Sequence, residues 1–315
     1  MLRAMFSFQI AACPEALAGA APDAHGIALD VQGGVAARCS LWWKEAPQLP
    51  RERVGAAGHF SCDSMAAGQF MLHQAAALLA AEGCTLAIGP MDGNTWRRYR
   101  LLTERGAEPP FLMEPEHPAE WPAFWQAAGF APLAQYFSAL GTDLAREDAQ
   151  ISRAGGRLRA AGVTVRALRA EDYENELRHI HEVSARAFTD NYLYTPLPEA
   201  EFVAQYAAVR ERVRPDLVLL AEMSGQPVGY VFTIPDWLRG PATDTIIVKT
   251  LAALPGRQTA GLGAWLLQEV QQRAHALGFR RVIHALMHES NNSLNLSRRF
   301  AEPFRRYTLY SRRLA

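Results

Sequence analysis

At 315 residues the chain has room for about two domains. Hydrophobic residues make up 49% and charged residues 20%, which excludes a disordered or low-complexity chain. The 32 basic side chains balance 32 acidic ones, so no overall charge draws the protein to nucleic acid or to an anionic membrane.

The first thirteen residues, MLRAMFSFQIAAC, carry Arg3 and a small-residue step before Cys13, as a lipoprotein signal would. Ser7 and Gln9 break the apolar core that such a signal needs. Phe6, Phe8 and Ile10 alternate instead as in a half-buried strand, so the segment is read as a first strand and the protein as cytoplasmic. GIALDVQGGVAARCSLWW then reads as a hairpin turning at Gly33–Gly34, RVGAAGHFSCD as a strand, GQFMLHQAAALLAAEG as a helix and CTLAIGPMD as a strand. The four cysteines, Cys13, Cys39, Cys62 and Cys84, have neither CxxC nor zinc-ligand spacing, so free thiols and no metal are expected. No apolar run is long enough to span a bilayer, and no membrane partner is expected.

A polar, glycine-punctuated segment, LAREDAQISRAGGRLRAAG, follows and predicts a linker over 146–162. Beyond it come a strand and helix (VTVRALRAEDYENELRHIHEVSARAF), then an aromatic loop and second helix (NYLYTPLPEAEFVAQYAAVRERV). DLVLLAEMSGQPVGYVFTIPDW is a second hairpin, and Asp244–Leu254 a strand leading into a glycine-spaced loop and a helix. GFRRVIHALMHES is a strand, NNSLNLSRRFAEPF a short helix and RRYTLYSRRL a last strand. The first half repeats this plan in reduced form. Setting Gly83 against Gly278 places Gly68 on Gly263, Phe70 on Trp265 and Leu72 on Leu267, but Asp63 on Gln258 and Ala66 on Gly261.

The loop Gln258-Thr-Ala-Gly261-Leu-Gly263 suits a pyrophosphate. A helix start offers unsatisfied N–H groups and a partial positive charge. A side chain at Gly261 would obstruct close approach, and Gly263 would let the helix start pack close to the sheet. Thr259, Ala260, Leu262 and Ala264 are the expected main-chain donors, with Gln258 as a neutral side-chain donor and Arg257 a nearby charge. Asp63 and Ala66 put a negative charge and a methyl at the matching places, so the first copy is not expected to bind a phosphate there.

In its order of elements around this loop, the second half resembles the GNAT superfamily of N-acetyltransferases, whose signature Q/R-x-x-G-x-G/A lies between the fourth strand and third helix. The resemblance covers about residues 163–315, and 25–140 through the reduced copy. It implies an α/β (α+β) chain of two tandem GNAT-like domains, 1–145 and 163–315, each a mixed, mainly antiparallel sheet flanked by helices. It also implies direct acyl transfer from acetyl-CoA, or another acyl-CoA, to the amine of a small molecule or peptide. Pantetheine would run beside the strand before the motif, on main-chain groups of Leu251, Ala252 and Ala253, with Asn291 or Asn292 in contact.

Catalytic side chains are less defined. Candidates for a base are Glu222, Asp244, His284 and His288, each equally read as hairpin surface or packed polar residue. The tyrosine that many relatives place about seven residues past an asparagine falls here on Arg298 or Arg299. Ser297, and Tyr307 or Tyr310, are the nearby alternatives for an acid, though a thiolate leaves without one. Asp190, Tyr192 and Tyr194, in the loop between the first two helices, are candidate acceptor contacts. Residues 89–102 of the first half would complete that pocket if the halves face each other. A catalytically silent acyl-CoA-binding or partner-binding protein of the same fold is the alternative.

Overall fold

Alternating apolar residues build long strands here, and the parallel strand pairs each need a crossover helix. The computed structural model describes residues 5–315. The first half runs β1 (Ser7–Ala11), a short α1 (Glu15–Ala18), β2 (Ala24–Leu29), β3 (Val35–Trp42), β4 (Val54–Cys62), α2 (Met65–Ala81), β5 (Leu86–Gly89), β6 (Leu101–Glu104), α3 (Trp121–Ala127) and β7 (Ala131–Gly141). The second runs α4 (Ala149–Ala160), β8 (Val163–Ala167), α5 (Tyr173–Ala187), α6 (Glu199–Ala207), β9 (Val218–Met223), β10 (Gln226–Pro235), β11 (Thr245–Ala253), α7 (Leu262–Ala276), β12 (Arg281–His288), α8 (Asn292–Ser297) and β13 (Glu302–Arg313).

Two separate sheets were expected. The strands form one, in the order β1-β2-β3-β4-β5-β13-β7-β12-β11-β10-β9-β8, with β6 also on β13. Each half has lent its last strand to the other. β7 lies against β12 of the second half, and β13 against β5 and β6 of the first, while β7 and β13 pair with each other from Glu302↔Leu140 to Ser311↔Ala131. Among the described pairings only β4–β5 and β11–β12 are parallel, and α2 and α7 are their crossovers.

The segment read as a linker is largely a helix. Asp148 caps α4 by accepting from the N–H groups of Gln150 and Ile151, and Ile151, Ala154, Gly155 and Leu158 are buried. Its glycine is a packing residue rather than a turn, since a Cβ on Gly155 would stand 2.9 Å from the Trp265 ring. Helices α4 and α7 cover one face of the second half, and α5 and α6 the other. In the first half α2 and α3 cover β2–β5, with Trp125 fully buried against Phe60 and Phe130.

The exchanged strand is tied down by buried charge. Arg305 on β13 donates from Nε to Glu114 of the first half at 2.9 Å, and Tyr307 donates to the same carboxylate oxygen at 2.6 Å. Both ion-pair side chains are under 5% exposed. Truncating one partner leaves a buried charge uncompensated. Glu114→Ala is therefore expected to lower stability by about 3–5 kcal/mol, read as a lower urea midpoint. An unchanged midpoint would mean that this pair does not hold the halves together.

Candidate active site

Strands β11 and β12 pair from Thr245↔Arg281 to Val248↔His284 and then part. β11 continues to Ala253 while still paired to β10, so its residues from Lys249 to Ala253 present an open edge toward β12. Alternate residues along a strand aim their N–H and C=O groups at that edge. Five residues at 3.3 Å each make it about 16 Å long. Lys249, the first residue past the parting, is an extra residue against β10, where the register slips between Phe232 and Thr233.

On the other side of the opening β12 bends. Leu286 holds φ +61°, a conformation costly for a residue with a side chain. The first half keeps it there. Leu286 N–H donates to Ser138 Oγ at 3.0 Å, and Arg100 donates to the Leu286 carbonyl at 3.2 Å. The β12–β7 register slips at the same place, so Ala285 and Leu286 face Ser138 alone.

The opening leads to residues 254–261 and the start of α7. Gly261 caps α7 with φ +91°, a left-handed geometry that favours glycine, and an added Cβ would also crowd Ala154 Cβ at 3.1 Å. The expected role of Gly263 needs correction: a Cβ there would meet only Leu251 Cδ2, at 4.0 Å, so close packing on the sheet does not require glycine. The expected donors also shift. Leu262 N–H is spent on the Thr259 carbonyl at 2.9 Å, and Ala260 N–H points to the Arg257 carbonyl at 3.4 Å. Thr259 is buried, its hydroxyl donating to the Leu254 carbonyl at 2.5 Å. The N–H groups of Thr259, Gly261, Gly263 and Ala264 make no bond among the described residues, and Arg257 and Gln258 are exposed beside them.

The matching place in the first half is closed by its own chain. β4 and β5 pair from Val54↔Leu86 to Ala56↔Ile88 and part as β11 and β12 do. Met91 then donates its N–H to the Ala57 carbonyl at 2.8 Å, and Asp92 Oδ1 accepts from His59 N–H at 2.6 Å. A Cβ on Gly58 would stand 2.2 Å from the Met91 carbonyl oxygen. Only residues 63–64 separate β4 from α2, so no loop comparable to 254–261 exists there.

The expected catalytic residues are scattered. Glu222 lies on β9, its carboxylate gripped by Arg166, which also binds the fully buried Glu176. That engagement and its distance in the sheet remove it as a free base at the opening. Asp244 precedes β11, at the end of the strand away from the parting. Tyr307 is fully buried between Ser138 and Glu114, a strut of the exchanged strand rather than an acid. Tyr310 is likewise buried, beside Trp125. Ser297 is at the opening: its Oγ lies 2.7 Å from Nδ1 of His284, the last β12 residue paired with β11. His284 is buried, its Nε2 has no partner among the described residues, and burial pulls its pKa down to about 4. The Asn292 side chain lies outside the described residues; Asn291 immediately precedes α8.

On the α5–α6 face, Tyr192 stacks on His288 at 5.0 Å and Tyr194 packs edge-on to Trp96, while Asp190 is exposed. The halves do face each other. Trp96 donates to the Thr195 carbonyl at 2.8 Å, and Arg97 pairs with Glu201 at 2.9 Å. Sequence reasoning passed over Arg100, which no motif marks, and the lysine of the β11 bulge.

His284 gives a test of this geometry. Its folded pKa lies below its ordinary value, so the unfolded chain binds the extra proton and stability falls as pH drops from about 6.5 toward 4. A loss of up to about 3 kcal/mol is expected over that window. His284→Asn should flatten that part of the pH–Tm curve; an unchanged curve would place the histidine in water.

Residues 177–301 match the acetyltransferase (GNAT) family. Protein YghO of Escherichia coli (strain K12) is 25% identical, with 84% of this chain and 77% of that protein covered. The bacterial ceramide synthase of Caulobacter vibrioides is also 25% identical, over 57% of this chain and 48% of that protein, so the match spans about half its length. A tandem GNAT protein from the clavulanic acid biosynthesis pathway superposes with a TM-score of 0.52 at 12% identity, covering 94% of this chain and 85% of that one. Residues 177–301 thus match a GNAT acetyltransferase domain, of a family of acyl-transfer enzymes, and the whole chain has the fold of a tandem GNAT protein.

Proposed function

We propose that the chain is an acyl-CoA-dependent N-acyltransferase with one active site, between β11 and β12, using acetyl-CoA or another acyl-CoA and the amine of a small molecule or peptide. The observation that carries this is the open β11 edge, about 16 Å long, running from the parting at His284 to the unbonded N–H groups at the start of α7. An extended pantetheine arm has comparable length and can pair with main-chain groups of Leu251, Ala252 and Ala253 as an added strand would. Gly261, Gly263 and Ala264 would donate to the pyrophosphate, helped by the positive end of α7 and by Arg257 and Gln258.

This placement sets the thioester at the parting, between Lys249 and His284. An alkyl ammonium has to lose its proton before it attacks. No carboxylate among the expected residues is free at the parting, and the proton is assigned to water. The amine nitrogen would then bond to the thioester carbon, the C–S bond would break, and the proton shed by the nitrogen would go to the departing thiolate, directly or through water. In the tautomer in which Ser297 donates to Nδ1, neutral His284 carries its proton on Nε2, and Nε2–H would be a donor for the oxygen or sulfur that gathers charge. That would supply what Arg298 and Arg299 cannot. The relative named for ceramide synthesis supports the same bond type, since a ceramide is an N-acylated amino alcohol.

Titration calorimetry with acetyl-CoA tests the reading. Wild type is expected to bind at one site per chain, and Gly261→Asp to weaken binding at least tenfold through its charge and its left-handed backbone. No binding to folded wild type would remove the proposal, and two sites would mean that the first half binds despite its closed edge.

A further inference from the structure

The side chains between the two halves leave a second set of polar groups unmatched. Arg100, from the segment before β6, is only 6% exposed, yet it forms no ion pair among the described residues. Its guanidinium lies 3.8 Å over the Tyr99 ring and 4.3 Å over the Tyr136 ring, and it donates to the Leu286 carbonyl; Nε–H has no acceptor. Tyr136 on β7 is 3% exposed; its hydroxyl lies near that of Tyr99 but makes no hydrogen bond of normal geometry among the described residues. Its ring meets that of His288 edge-on at 4.9 Å. His288 Nδ1 lies 2.8 Å from Ser290 Oγ and faces Ser290 N–H at 3.2 Å; as the acceptor of both, it leaves the neutral-ring proton on Nε2, which has no partner among the described residues. Glu289 is exposed and accepts from Gln135 N–H at 3.1 Å instead.

Two N–H donors and a hydroxyl thus lack acceptors around one buried cation. Cation–π contacts offset only part of the cost of burying a guanidinium, and a water would satisfy a donor without compensating the charge. The group that answers both needs is an oxyanion, which accepts several hydrogen bonds and carries the opposite charge. Leu286–His288 lie just past the parting of β11 and β12, and Tyr192 of the α5–α6 loop covers His288. We propose that Arg100, Tyr136 and His288 form an anion pocket that holds a carboxylate or phosphate of the acceptor. The acceptor is then an acid-bearing amine, and the first half supplies its recognition. The link to the acceptor rests on the acyltransferase reading above; the pocket itself does not.

Thermal unfolding of the full chain tests it in sodium phosphate, sodium acetate and sodium chloride at equal ionic strength, each with and without saturating CoA to occupy the α7 cradle. Wild type is expected to gain about 2–4 °C in phosphate or acetate over chloride with CoA present. A gain in both marks a carboxylate-compatible pocket, and a gain in phosphate alone marks a phosphorylated amine. Arg100→Met should lose the gain; the lost bond to the Leu286 carbonyl shifts its melt equally in all three salts, so the difference between salts still reads the pocket. Tyr136→Phe, which keeps the ring, should reduce the gain without changing the melt in chloride. Equal melting of wild type in all three salts would overturn the pocket, as would an Arg100→Met protein that keeps the gain. CoA calorimetry on the same proteins separates the two claims: CoA binding without an anion response sinks the pocket alone, and an anion response without CoA binding sinks the acyltransferase reading alone.

Discussion

The parting of β11 from β12 after Val248 and His284 is the constraint on which the site depends. Two adjacent parallel strands would ordinarily continue their ladder, since unpaired main-chain groups in a sheet are costly. Here β12 is pulled away by a left-handed residue, Leu286, whose N–H and carbonyl are both held by the first half, through Ser138 and Arg100. A strained φ persists only when its surroundings fix it. The strand exchange provides those surroundings: β7 can hold β12 because each half has placed its last strand in the other. The buried Arg305–Glu114 pair, with Tyr307, locks β13 in the reciprocal place.

The same parallel pair occurs twice, with different outcomes. In the first half the parting of β4 and β5 is filled by Met91 and Asp92, and the connection to α2 has shrunk to residues 63–64. That half has become a wall of the other's site. It sets Trp96 against the α5–α6 loop, Arg97 against α6, and Arg100 and Tyr136 beside β12. Its retained scaffold is explained by the pairing it offers rather than by a cofactor of its own.

Much of this order was legible in the chain. Alternation and turn glycines marked the strands and hairpins, and the motif spacing marked the loop before α7, where Gly261 takes a left-handed conformation that favours glycine. The reason for Gly263 was misread, because open space around a glycine leaves no trace in sequence. Helix α4 was hidden by Gly155 and Gly156, which suggest a turn until Trp265 is placed against Gly155. The strand exchange was illegible for a deeper reason: β7 and β13 have the same periodicity whichever neighbour they take. Glu222 failed as a base because its partner Arg166 is far away in sequence, and Arg100 was missed because only its burial beside two tyrosines makes it unusual.

The central claim is that the open edge of β11 receives a CoA arm as a strand would, and only in the second half. Hydrogen exchange of the main-chain amides, with and without acetyl-CoA, tests it most directly. Protection should rise along residues 249–253 and at 261–264, and stay unchanged at 57–68 in the first half. Protection confined to the first half, or none in folded protein at saturating acetyl-CoA, would contradict it.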